Sequence, residues 1–321
     1  MLTAAGPAGL GEAVRRLDAG RLVGFPTETV YGLGCDATRE AAVREVFRAK
    51  GRPPDNPLIV HVPDAEAARR VAIGWDDRAD TLARAFWPGP LTLVLRRAPG
   101  IAAGVGGGRD TVAVRVPDHP VALALLRAFG RPIAAPSANR SGRISPTTAS
   151  HVAAEFASDE DLLVLDGGPC RVGLESTVVD LSGDRVAILR PGSIGASDLL
   201  PLVGPVATEA GTAQGASPGT RASHYAPRTP AALVAEEALD TRLAATRGRV
   251  ALLARERVEA PLAPGLRLLR LPDDPAGFAR ELYAALRTAD DGSSEAILVA
   301  VPDLPGDLWD AIRDRLRRAT A

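Results

Sequence analysis

Residues 50–62 read KGRPPDNPLIVHV, and they lie between a predicted helix (residues 39–49) and a predicted strand (residues 58–62). Two cations, Lys50 and Arg52, flank a glycine at the start of this loop, and prolines stiffen the rest of it. An ammonium and a guanidinium placed in this way can hold a phosphate or a carboxylate. The stretch therefore indicates an α/β fold with an anion-binding loop between a helix and a strand.

Lys50 is the single lysine among the 38 basic residues of this 321-residue chain, and the other 37 are arginines. A cation at the end of a helix also stabilises the helix dipole, but an arginine would serve that purpose equally well. The presence of one lysine among 37 arginines therefore favours a specific role for the ammonium group of Lys50. The net charge of −1 argues against a protein coated with basic residues for binding nucleic acid.

Hydropathy and cysteine spacing exclude several classes of protein. No apolar run reaches the roughly 18 residues that span a bilayer, and residues 1–17 lack the basic and apolar regions of a signal peptide. Cys35 and Cys170 lack the spacing of a zinc or redox site, so we expect small, buried thiols. These features predict a cytoplasmic protein.

Composition and periodicity divide the chain into three parts. Strands and helices over residues 1–203 predict a mixed sheet surrounded by helices. Residues 204–230 are rich in Gly, Ala, Ser, Thr and Pro, which is typical of a linker. Strands and helices alternate again over residues 231–321, which predicts a small α/β domain with a largely parallel sheet.

A second polar constellation, PSANRSGRISPTT, occupies residues 136–148 between a short apolar strand and a helix. Its hydroxyls, amide, backbone N–H groups and two arginines converge at a helix start, which is a favourable place for an anion. A capped turn with Thr147 as N-cap is the simpler interpretation, but it accounts for one or two of these residues and not for the whole run.

Two strands carry unusual polar faces. Residues 111–116 alternate so that Thr111 and Arg115 share one face with an alanine while valines occupy the other. In residues 58–62, His61 shares a face with Ile59. A small, polar sheet face with one arginine suits the floor of a ligand site, although a histidine such as His61, taken alone, is more often a surface or core residue.

The glycine-rich run GVGGGR, residues 104–109, lacks the features of a phosphate loop. It has no GK[ST] sequence and precedes a strand rather than opening a helix, so we expect a flexible loop. Neither a Ser-His-Asp arrangement nor a metal-binding spacing of His, Asp and Glu is present in the sequence, which contains four histidines.

Six stretches occur in the same order in one known family. They are TETVYGLG (27–34), KGRPPDNPLIVHV (50–62), FWPGPLT (86–92), PSANRSGRISPTT (136–148), STVVD (176–180) and LRPG (189–192). Together they resemble the L-threonylcarbamoyladenylate synthases, the YrdC-like family. The stretch SPGTRASHYAP (217–227), followed by an α/β domain, resembles the longer branch of that family, although Thr220, Ala222 and Ser223 depart from its usual residues.

The resemblance implies a fold and a reaction. The fold is a YrdC-like twisted mixed sheet with helices around a concave basic cleft, followed by a smaller Rossmann-like α/β domain. The reaction is a nucleotidyl transfer that condenses L-threonine, bicarbonate or CO₂, and ATP into threonylcarbamoyl-AMP and pyrophosphate. The product would feed a threonylcarbamoyl transferase complex that modifies tRNA, and direct contact with tRNA would not be required.

The resemblance also implies roles for individual residues. The reaction centre would contain Lys50, Arg52, Ser137 and Asn139. ATP would be bound by Arg52, Asn56, Thr111, Ser137, Ser145, Arg190 and Tyr225. L-Threonine would be bound by Thr29, His61, Arg115, Ala135 and Ser176, with Arg115 as a bidentate partner for its carboxylate.

The remaining expectations concern the metal and the linker. No carboxylate cluster is evident in the sequence, so we expect Mg²⁺ to arrive with the triphosphate. A threonine carbamate is short-lived in water, and residues 217–227 are predicted to act as a lid over it.

Two other functions remain open at this point. One is a carbamoyl-adenylate-forming enzyme with another acceptor, although the zinc-finger and acyltransferase segments of such enzymes are missing from this sequence. The other is a tRNA- or double-stranded-RNA-binding protein that uses the same basic cleft. The net charge of −1 and the lack of interleaved aromatic residues count against the second.

Overall fold

The computed structural model describes residues 2–159, 161–208, 224–259 and 265–321. In this part of the chain, one sheet of twelve strands and one sheet of four strands organise the fold. No helix in these ranges is both long enough and apolar enough to cross a lipid bilayer.

The large sheet is built from strands between residues 2 and 208. They are β1 (Leu2–Ala4), β2 (Val23–Phe25), β3 (Gly32–Asp36), β4 (Ile59–His61), β5 (Ala72–Ile73), β6 (Leu91–Arg97), β7 (Thr111–Arg115), β8 (Ile133–Ala135), β9 (Leu163–Asp166), β10 (Thr177–Asp180), β11 (Val186–Arg190) and β12 (Val206–Thr208). The strands of the small sheet are β13 (Ala231–Ala235), β14 (Val250–Arg255), β15 (Leu266–Leu271) and β16 (Ala296–Val301).

Helices cover both sheets. They are α1 (Pro7–Asp18), α2 (Glu40–Lys50), α3 (Ala65–Val71), α4 (Asp77–Phe86), α5 (Pro120–Phe129), α6 (Ala149–Glu155), α7 (Ala196–Val203), α8 (Leu239–Ala245), α9 (Pro275–Ala289) and α10 (Asp307–Ala319). Short 3₁₀ turns occur at Ala103–Gly106 and Glu236–Ala238.

The large sheet has the order β1-β9-β2-β3-β8-β4-β7-β6-β10-β11-β12, with β5 paired to β6 beside this path. It mixes parallel pairs, such as β4 with β7, and antiparallel pairs, such as β4 with β8. The predicted mixed sheet is therefore confirmed. Its central strands β3, β8, β4 and β7 come from four separate parts of the chain and lie side by side, which brings distant polar residues onto one face.

The small sheet has the order β13-β16-β14-β15, and each of its three pairings is parallel. Parallel neighbours need crossover connections, and in this sheet α8 lies between β13 and β14 in the chain and α9 between β15 and β16. The predicted α/β domain with a parallel sheet is confirmed.

One apolar core extends across both sheets. Val30, Ile144 and Leu174, which belong to loops around the large sheet, pack in the same cluster as residues of α9 and α10 such as Phe278 and Ile312. The small domain is thus attached to the large one by buried apolar side chains. Each Å² of apolar surface removed from water stabilises this contact by about 25 cal/mol.

The end of α2 sets the position of the polar loop that comes after it. Gly51 adopts a left-handed conformation with φ of 61°, which glycine reaches without steric cost. The backbone N–H of Arg52 then donates to the carbonyl of Phe47 at 2.9 Å, closing the helix. Lys50 and Arg52 therefore leave the helix end in fixed directions, as required for a defined binding loop.

Three elements differ from the sequence prediction. Helix α7 covers residues for which the sequence predicts no helix, and its Pro201 lies near the helix end, where one lost hydrogen bond is tolerated. Helix α8 spans only seven residues, too short for a clear apolar period. Strand β12 lies within the predicted linker and pairs in parallel with β11.

Two loops also differ from expectation. The apolar character of residues 29–33 predicts a strand from Thr29, but residues 29–31 precede β3, which begins at Gly32. The glycine-rich loop is held rather than free. Val105 is fully buried and accepts a hydrogen bond from the N–H of Leu58, while the N–H of Gly104 donates to Glu40.

Candidate functional site

The floor of the candidate site is one face of the central strands. His61 is aligned with Arg115 in the pairing of β4 with β7, and Ile59 is aligned with Ala135 in the pairing of β4 with β8. Side chains alternate along a strand, so Ile59 and His61 share this face while Val60 packs in the core behind it. The predicted face assignment of His61 is therefore confirmed.

These strand residues line a cavity whose wall is strongly cationic. The guanidinium groups of Arg52, Arg115 and Arg190 face it, and each of the three side chains is at most 6% exposed. His224 and Tyr225, which belong to the stretch SPGTRASHYAP of the predicted linker, complete the wall. The free space is about 40 Å³, room for a few water molecules, whereas ligand pockets usually measure about 300–1,000 Å³. The wall must therefore move before a larger ligand can enter.

Arg115 at the end of β7 is held by three neighbours. Its Nη2 donates to Oε1 of Glu28 at 2.6 Å, its Nη1 to Oγ1 of Thr29 at 2.9 Å, and its Nε to the carbonyl of Gly89 at 3.2 Å. Each Nη carries two hydrogens, so one on each remains for a ligand. The buried acid Glu28 thus sets the orientation of the guanidinium before any substrate binds.

Arg52 is fixed by its own loop. Its Nη2 donates to Oδ1 of Asn56 at 2.7 Å and to the carbonyl of Pro57 at 2.8 Å. Asn56 also accepts from Nε of Arg52 through its backbone carbonyl at 3.2 Å. Asn56 therefore holds Arg52 in place and does not itself line the cavity.

Lys50 is buried and holds the polar loop after β8. Its Nζ donates to the carbonyl of Ser137 at 2.5 Å and to the carbonyl of Asn139. Burial and the nearby charge of Arg52 lower the pKa of Lys50 well below its ordinary value. A compact ammonium with three donors can serve two converging carbonyls in this way, whereas a planar guanidinium has a different shape.

Asn139 shapes the same loop from within. Its Nδ2 donates to the carbonyls of Arg140 and Arg143, both at 2.8 Å, while its buried Oδ1 has no partner among the described residues. A buried amide oxygen without a partner is unfavourable, and such groups are rare outside functional sites. Ser137, two residues earlier, faces the cavity.

Ser176 and Arg190 form a second pair on the cavity wall. Nη2 of Arg190 donates to Oγ of Ser176 at 3.1 Å and to its carbonyl at 3.0 Å. Oγ of Ser176 also lies 2.7 Å from Oγ1 of Thr92 on β6. Burial lowers the pKa of Arg190, and the neighbouring charge of Arg315 adds to this shift.

The carboxylate side chain of Glu175 lies on the same cavity wall as Ser176 and Arg190. Its Oε1 accepts from Oγ of Ser145 at 2.6 Å, and its Oε2 accepts from the hydroxyl of Tyr283 and from Nε of Arg315, both at 2.9 Å. Burial raises the pKa of Glu175 while Arg315 and Arg190 lower it, and the net shift is downward. The carboxylate is therefore ionised and compensated by cations on two sides.

His61 is kept neutral by its surroundings. Burial and the adjacent charge of Arg115 lower the pKa of His61 to about 3. Its ring meets the edge of Phe25 at 5.8 Å between centroids, and Nδ1 has no partner among the described residues. A neutral imidazole with an unused nitrogen can accept or donate one hydrogen bond to a ligand.

His224 and Tyr225 lie where the two domains meet. The N–H of His224 donates to the carbonyl of Arg318 on α10 at 3.0 Å, and the ring of Tyr225 stacks on Tyr283 with centroids 5.7 Å apart. Tyr225 is buried with φ of 65°, which is strained for a residue other than glycine. Its hydroxyl and Nδ1 of His224 have no partners within the described ranges.

Comparison with known proteins covers nearly the whole chain. The Sua5/YciO/YrdC family model, described as telomere recombination, matches residues 15–192. A second model, described as the C-terminal domain of threonylcarbamoyl-AMP synthase, matches residues 194–321. The chain belongs to the Sua5/YciO/YrdC family.

Three members of the Sua5/YciO/YrdC family illustrate the similarity. A threonylcarbamoyl-AMP synthase of Pyrococcus abyssi is 39% identical over 94% of this chain and 91% of its own length. One of Bacillus subtilis is 44% identical over 70% of this chain and 66% of its own length. The crystal structure of P. abyssi Sua5 complexed with L-threonine superposes with a TM-score of 0.87, at 37% identity over 97% of this chain and 94% of that one. The predicted family and fold are therefore confirmed.

Nine of the fourteen site residues that the Sua5/YciO/YrdC motifs predict line one cavity. They are Thr29, Arg52, His61, Arg115, Ala135, Ser137, Ser176, Arg190 and Tyr225. Strands β4, β7, β8 and β11 carry four of them, and the other five lie in the loops after β2, α2 and β8 and in the segments before β10 and β13. The residues that meet here are up to 196 positions apart in the chain. Their assignment to ATP or to threonine stays a prediction.

Five predicted residues do not line that cavity. Lys50, Asn56 and Ser145 are hydrogen-bonded to residues that do, namely Ser137, Arg52 and Glu175. Asn139 donates to the carbonyls of Arg140 and Arg143 in the loop after β8. Thr111 is at the far end of β7, four residues and roughly 13 Å from Arg115, and its strand partner is Arg96. The structure thus gives no direct place in this cavity to Thr111.

Four residues at the Sua5/YciO/YrdC site were missed from the sequence. Glu28, Glu175 and Arg315 join in buried ion pairs, and His224 lines the cavity. Glu28 stands within the quoted stretch TETVYGLG and His224 within SPGTRASHYAP, so both could have been singled out. The pairing of Glu175 with a residue 140 positions later has no signal in a single sequence.

The remaining site predictions concern cysteines, metals and the lid. Cys35 and Cys170 are buried free thiols, as predicted, and burial raises the pKa of Cys170 to about 12. Among the described residues, no group of three or more His, Cys, Asp or Glu is arranged to hold a metal. Of the predicted lid over residues 217–227, the part before His224 lies outside the described residues, including Thr220, Ala222 and Ser223.

Proposed function

We propose that this chain is a threonylcarbamoyl-AMP synthase, a nucleotidyltransferase that condenses L-threonine, bicarbonate or CO₂, and ATP. The observation that carries the proposal is the set of three buried guanidinium groups, those of Arg52, Arg115 and Arg190, on one cavity. Guanidinium groups bind phosphate and carboxylate oxygens through charge-assisted hydrogen bonds, so a triphosphate and a carboxylate suit this wall. Membership of a family whose curated members include threonylcarbamoyl-AMP synthases supports the same activity.

On the threonine side, we assign the carboxylate of the amino acid to Arg115 and Ser176. One hydrogen on each Nη atom of Arg115 is bonded to Thr29 or Glu28, and the second hydrogen on each Nη can bind the carboxylate. His61 and the backbone at Ala135 then face the rest of the amino acid. The complex of P. abyssi Sua5 with L-threonine supports a threonine site in this chain as well.

On the ATP side, we assign the phosphates to Arg52, Ser137 and Arg190, with Tyr225 covering the nucleotide. Arg52 and Arg190 are oriented by neighbours, so little motion of their side chains is required when the anion binds. Mg²⁺ would enter with the triphosphate as part of the substrate, since the acid on this wall, Glu175, is already engaged by Arg315.

The chemistry needs positioning and charge neutralisation more than covalent participation of the protein. The threonine amine and CO₂ first form a carbamate. A carbamate oxygen then attacks the α-phosphate, the bond to the β-phosphate oxygen breaks, and pyrophosphate leaves. Fixed guanidinium groups stabilise the charge that develops on phosphate oxygens, and the proposed lid would exclude water from the carbamate.

Lys50 and Asn139 would then act by shaping the loop that carries Ser137. Their hydrogen bonds hold the backbone of residues 137–143 against the end of α2. Asn56 plays the same part for Arg52, and Ser145 for Glu175. In this proposal these four residues position others.

The proposed division of labour matches the three parts of the chain. Residues 1–203, together with strand β12, form the catalytic domain, the rest of residues 204–230 the linker and lid, and residues 231–321 a small α/β domain that supports the lid. Deletion of residues 204–321 removes His224 and Tyr225 from the cavity wall and should abolish or greatly weaken synthesis. Full activity in a fragment of residues 1–203 would contradict the proposal that residues 217–227 act as a lid.

The decisive experiment incubates the full chain with ATP, radiolabelled bicarbonate and each amino acid in turn. Threonine-dependent release of pyrophosphate together with a labelled adenylate is the expected result. Labelled adenylate with a different amine would indicate another acceptor. Salt-dependent binding of RNA without turnover of ATP would instead indicate an RNA-binding protein.

The product implies partners downstream. Threonylcarbamoyl-AMP is a reactive mixed anhydride, so a threonylcarbamoyl transferase complex that acts on tRNA would consume it. The proposal does not require this chain to contact tRNA.

A further inference from the structure

The guanidinium of Arg315 reaches from the small domain to the back of the cavity wall. Arg315 lies in α10 and is fully buried. Its Nε donates to Oε2 of Glu175 at 2.9 Å and its Nη2 to the carbonyl of Pro191 at 2.7 Å. Its third nitrogen, Nη1, donates to Oδ2 of Asp314 at 2.7 Å in the same helix. One side chain thus connects α10 to two separate segments of the large domain.

Both of those segments continue directly into cavity residues. Glu175 precedes Ser176, and Pro191 comes after Arg190. Ser176 and Arg190 are themselves hydrogen-bonded to each other and face the cavity. Arg315 therefore adds, from behind, a further link between the two segments that carry this pair, besides the antiparallel pairing of β10 with β11.

Arg315 also compensates a negative charge beside the proposed phosphate site. The carboxylate of Glu175 lines the cavity that holds the cationic groups of Arg52, Arg115 and Arg190. Once Arg315 is removed, the hydroxyls of Ser145 and Tyr283 are the hydrogen-bond donors that still reach this carboxylate, and both are neutral. A carboxylate compensated less completely at that place would repel an anionic substrate across a medium of low dielectric constant.

We propose that Arg315 is a positioning residue through which the C-terminal domain organises the ATP-binding wall, by holding the Ser176–Arg190 pair and neutralising Glu175. This inference rests on the proposed function for the identity of the anion. It assigns to the small domain a direct effect on the site, in addition to support of the lid.

The test compares Arg315→Met with Arg313→Met in the full chain. Arg313 lies on the same helix, but its guanidinium donates to Pro302, Leu304 and Asp310, all within the small domain. Both variants lose a guanidinium from α10, whereas Arg315→Met alone disturbs the cavity wall. Calorimetry with ATP should show at least tenfold weaker binding in Arg315→Met and less than twofold weaker binding in Arg313→Met.

Hydrogen–deuterium exchange provides a readout that does not depend on activity. Amides of residues 175–178 and 190–194 should exchange at least tenfold faster in Arg315→Met and at the wild-type rate in Arg313→Met. Equal exchange in the two variants, or unchanged ATP affinity in Arg315→Met, would overturn the proposal. If the wild type makes no threonylcarbamoyl-AMP, the proposed function fails, and the exchange data still decide whether Arg315 holds the wall.

A second variant separates the neutralisation of Glu175 from the positioning of the Ser176–Arg190 pair. It also covers the case in which Arg315→Met does not fold. Adding Glu175→Gln to Arg315→Met removes the buried carboxylate that the lost cation leaves behind. The double variant should be folded and should bind ATP more tightly than Arg315→Met, or be recovered where the single variant is not. A double variant no better than Arg315→Met in folding and in affinity would reject the neutralising role.

Discussion

Nη2 of Arg115 lies 2.6 Å from Oε1 of Glu28, and both side chains are buried at the cavity. Glu28 also accepts the backbone N–H of Asp118 through Oε2 at 3.1 Å, so the acid is fixed on both oxygens. The arginine proposed to bind the threonine carboxylate is therefore already paired with a carboxylate of the protein. The substrate adds to this pair, because each Nη keeps one hydrogen for it.

The first prediction concerns Glu28→Gln. Removal of one partner from a buried ion pair leaves an uncompensated charge, so we expect the free energy of unfolding to fall by about 3 kcal/mol. The KM for threonine should rise, since Arg115 loses the group that orients it. Urea denaturation and steady-state kinetics measure the two effects.

The exposed acid Glu12, which pairs with Arg15 and Arg16 on α1, offers the matched control for Glu28→Gln. Glu12→Gln should leave both the stability and the KM for threonine essentially unchanged, because ion pairs in contact with solvent contribute little. A Glu28→Gln variant with the wild-type KM for threonine would show that the pair is structural and has no part in substrate binding.

The second prediction concerns Lys50→Arg, which keeps the charge. The carbonyls of Ser137 and Asn139 converge on one compact ammonium, and a guanidinium at the same place must displace the loop. We expect most of the activity to be lost. Arg48→Lys, an exposed exchange in the last turn of the same helix, should have no effect. Wild-type turnover by Lys50→Arg would refute the role given to the ammonium.

The third prediction separates stability from function at Tyr225. Its buried hydroxyl has no hydrogen-bond partner among the described residues, so Tyr225→Phe should leave the Tm unchanged or raise it slightly. If the hydroxyl serves the nucleotide, the affinity for ATP should fall several-fold in the same variant. A thermal melt and calorimetry with ATP test both parts. A lower Tm with unchanged affinity for ATP would contradict this assignment.

The fourth prediction is a pH dependence that originates at His61. Its pKa is about 3 in the folded protein and about 6.5 in an unfolded chain, so the unfolded state binds more protons between these values. The free energy of unfolding should therefore fall as the pH drops from 6.5 towards 3. His61 contributes a slope of up to about 1.4 kcal/mol per pH unit in that window.

His61→Gln cannot titrate, and it isolates this contribution. Its stability should depend less steeply on pH between about 6 and 4 than that of the wild type, while the two curves run parallel above about pH 7. His224, whose pKa burial also lowers to about 3, should retain its own share of the slope in that variant. Identical slopes in the wild type and His61→Gln would show that His61 does not titrate in this way.

The sequence predicted which face of each strand forms the floor of the site better than it predicted which residues line the cavity. Alternation along a strand is local, and it correctly placed His61 on the Ile59 face of β4 and Arg115 on the Thr111 face of β7. Whether a motif residue touches the cavity or supports a neighbour depends on where its side chain ends. Lys50 and Asn56 belong to the same loop as Arg52, yet Arg52 lines the cavity and the other two hold its surroundings.

The contacts between the two domains could not be predicted from the sequence, for a different reason. The C-terminal domain shows an ordinary α/β pattern, in which an arginine on the last helix is expected at the surface. Arg315 is buried because Glu175 and Pro191 meet it there, and both belong to another domain. Short elements such as α8 and β12 were missed because a few residues carry too little periodicity to be recognised.

The single lysine of the chain has a practical consequence for spectroscopy. Growth on isotopically labelled lysine would place one labelled side chain in each molecule, and that side chain is buried against the loop of Ser137 and Asn139. Its ammonium resonance would need no assignment by mutagenesis. Titration of that one signal, with and without ATP, would follow the protonation of the site directly in the intact protein.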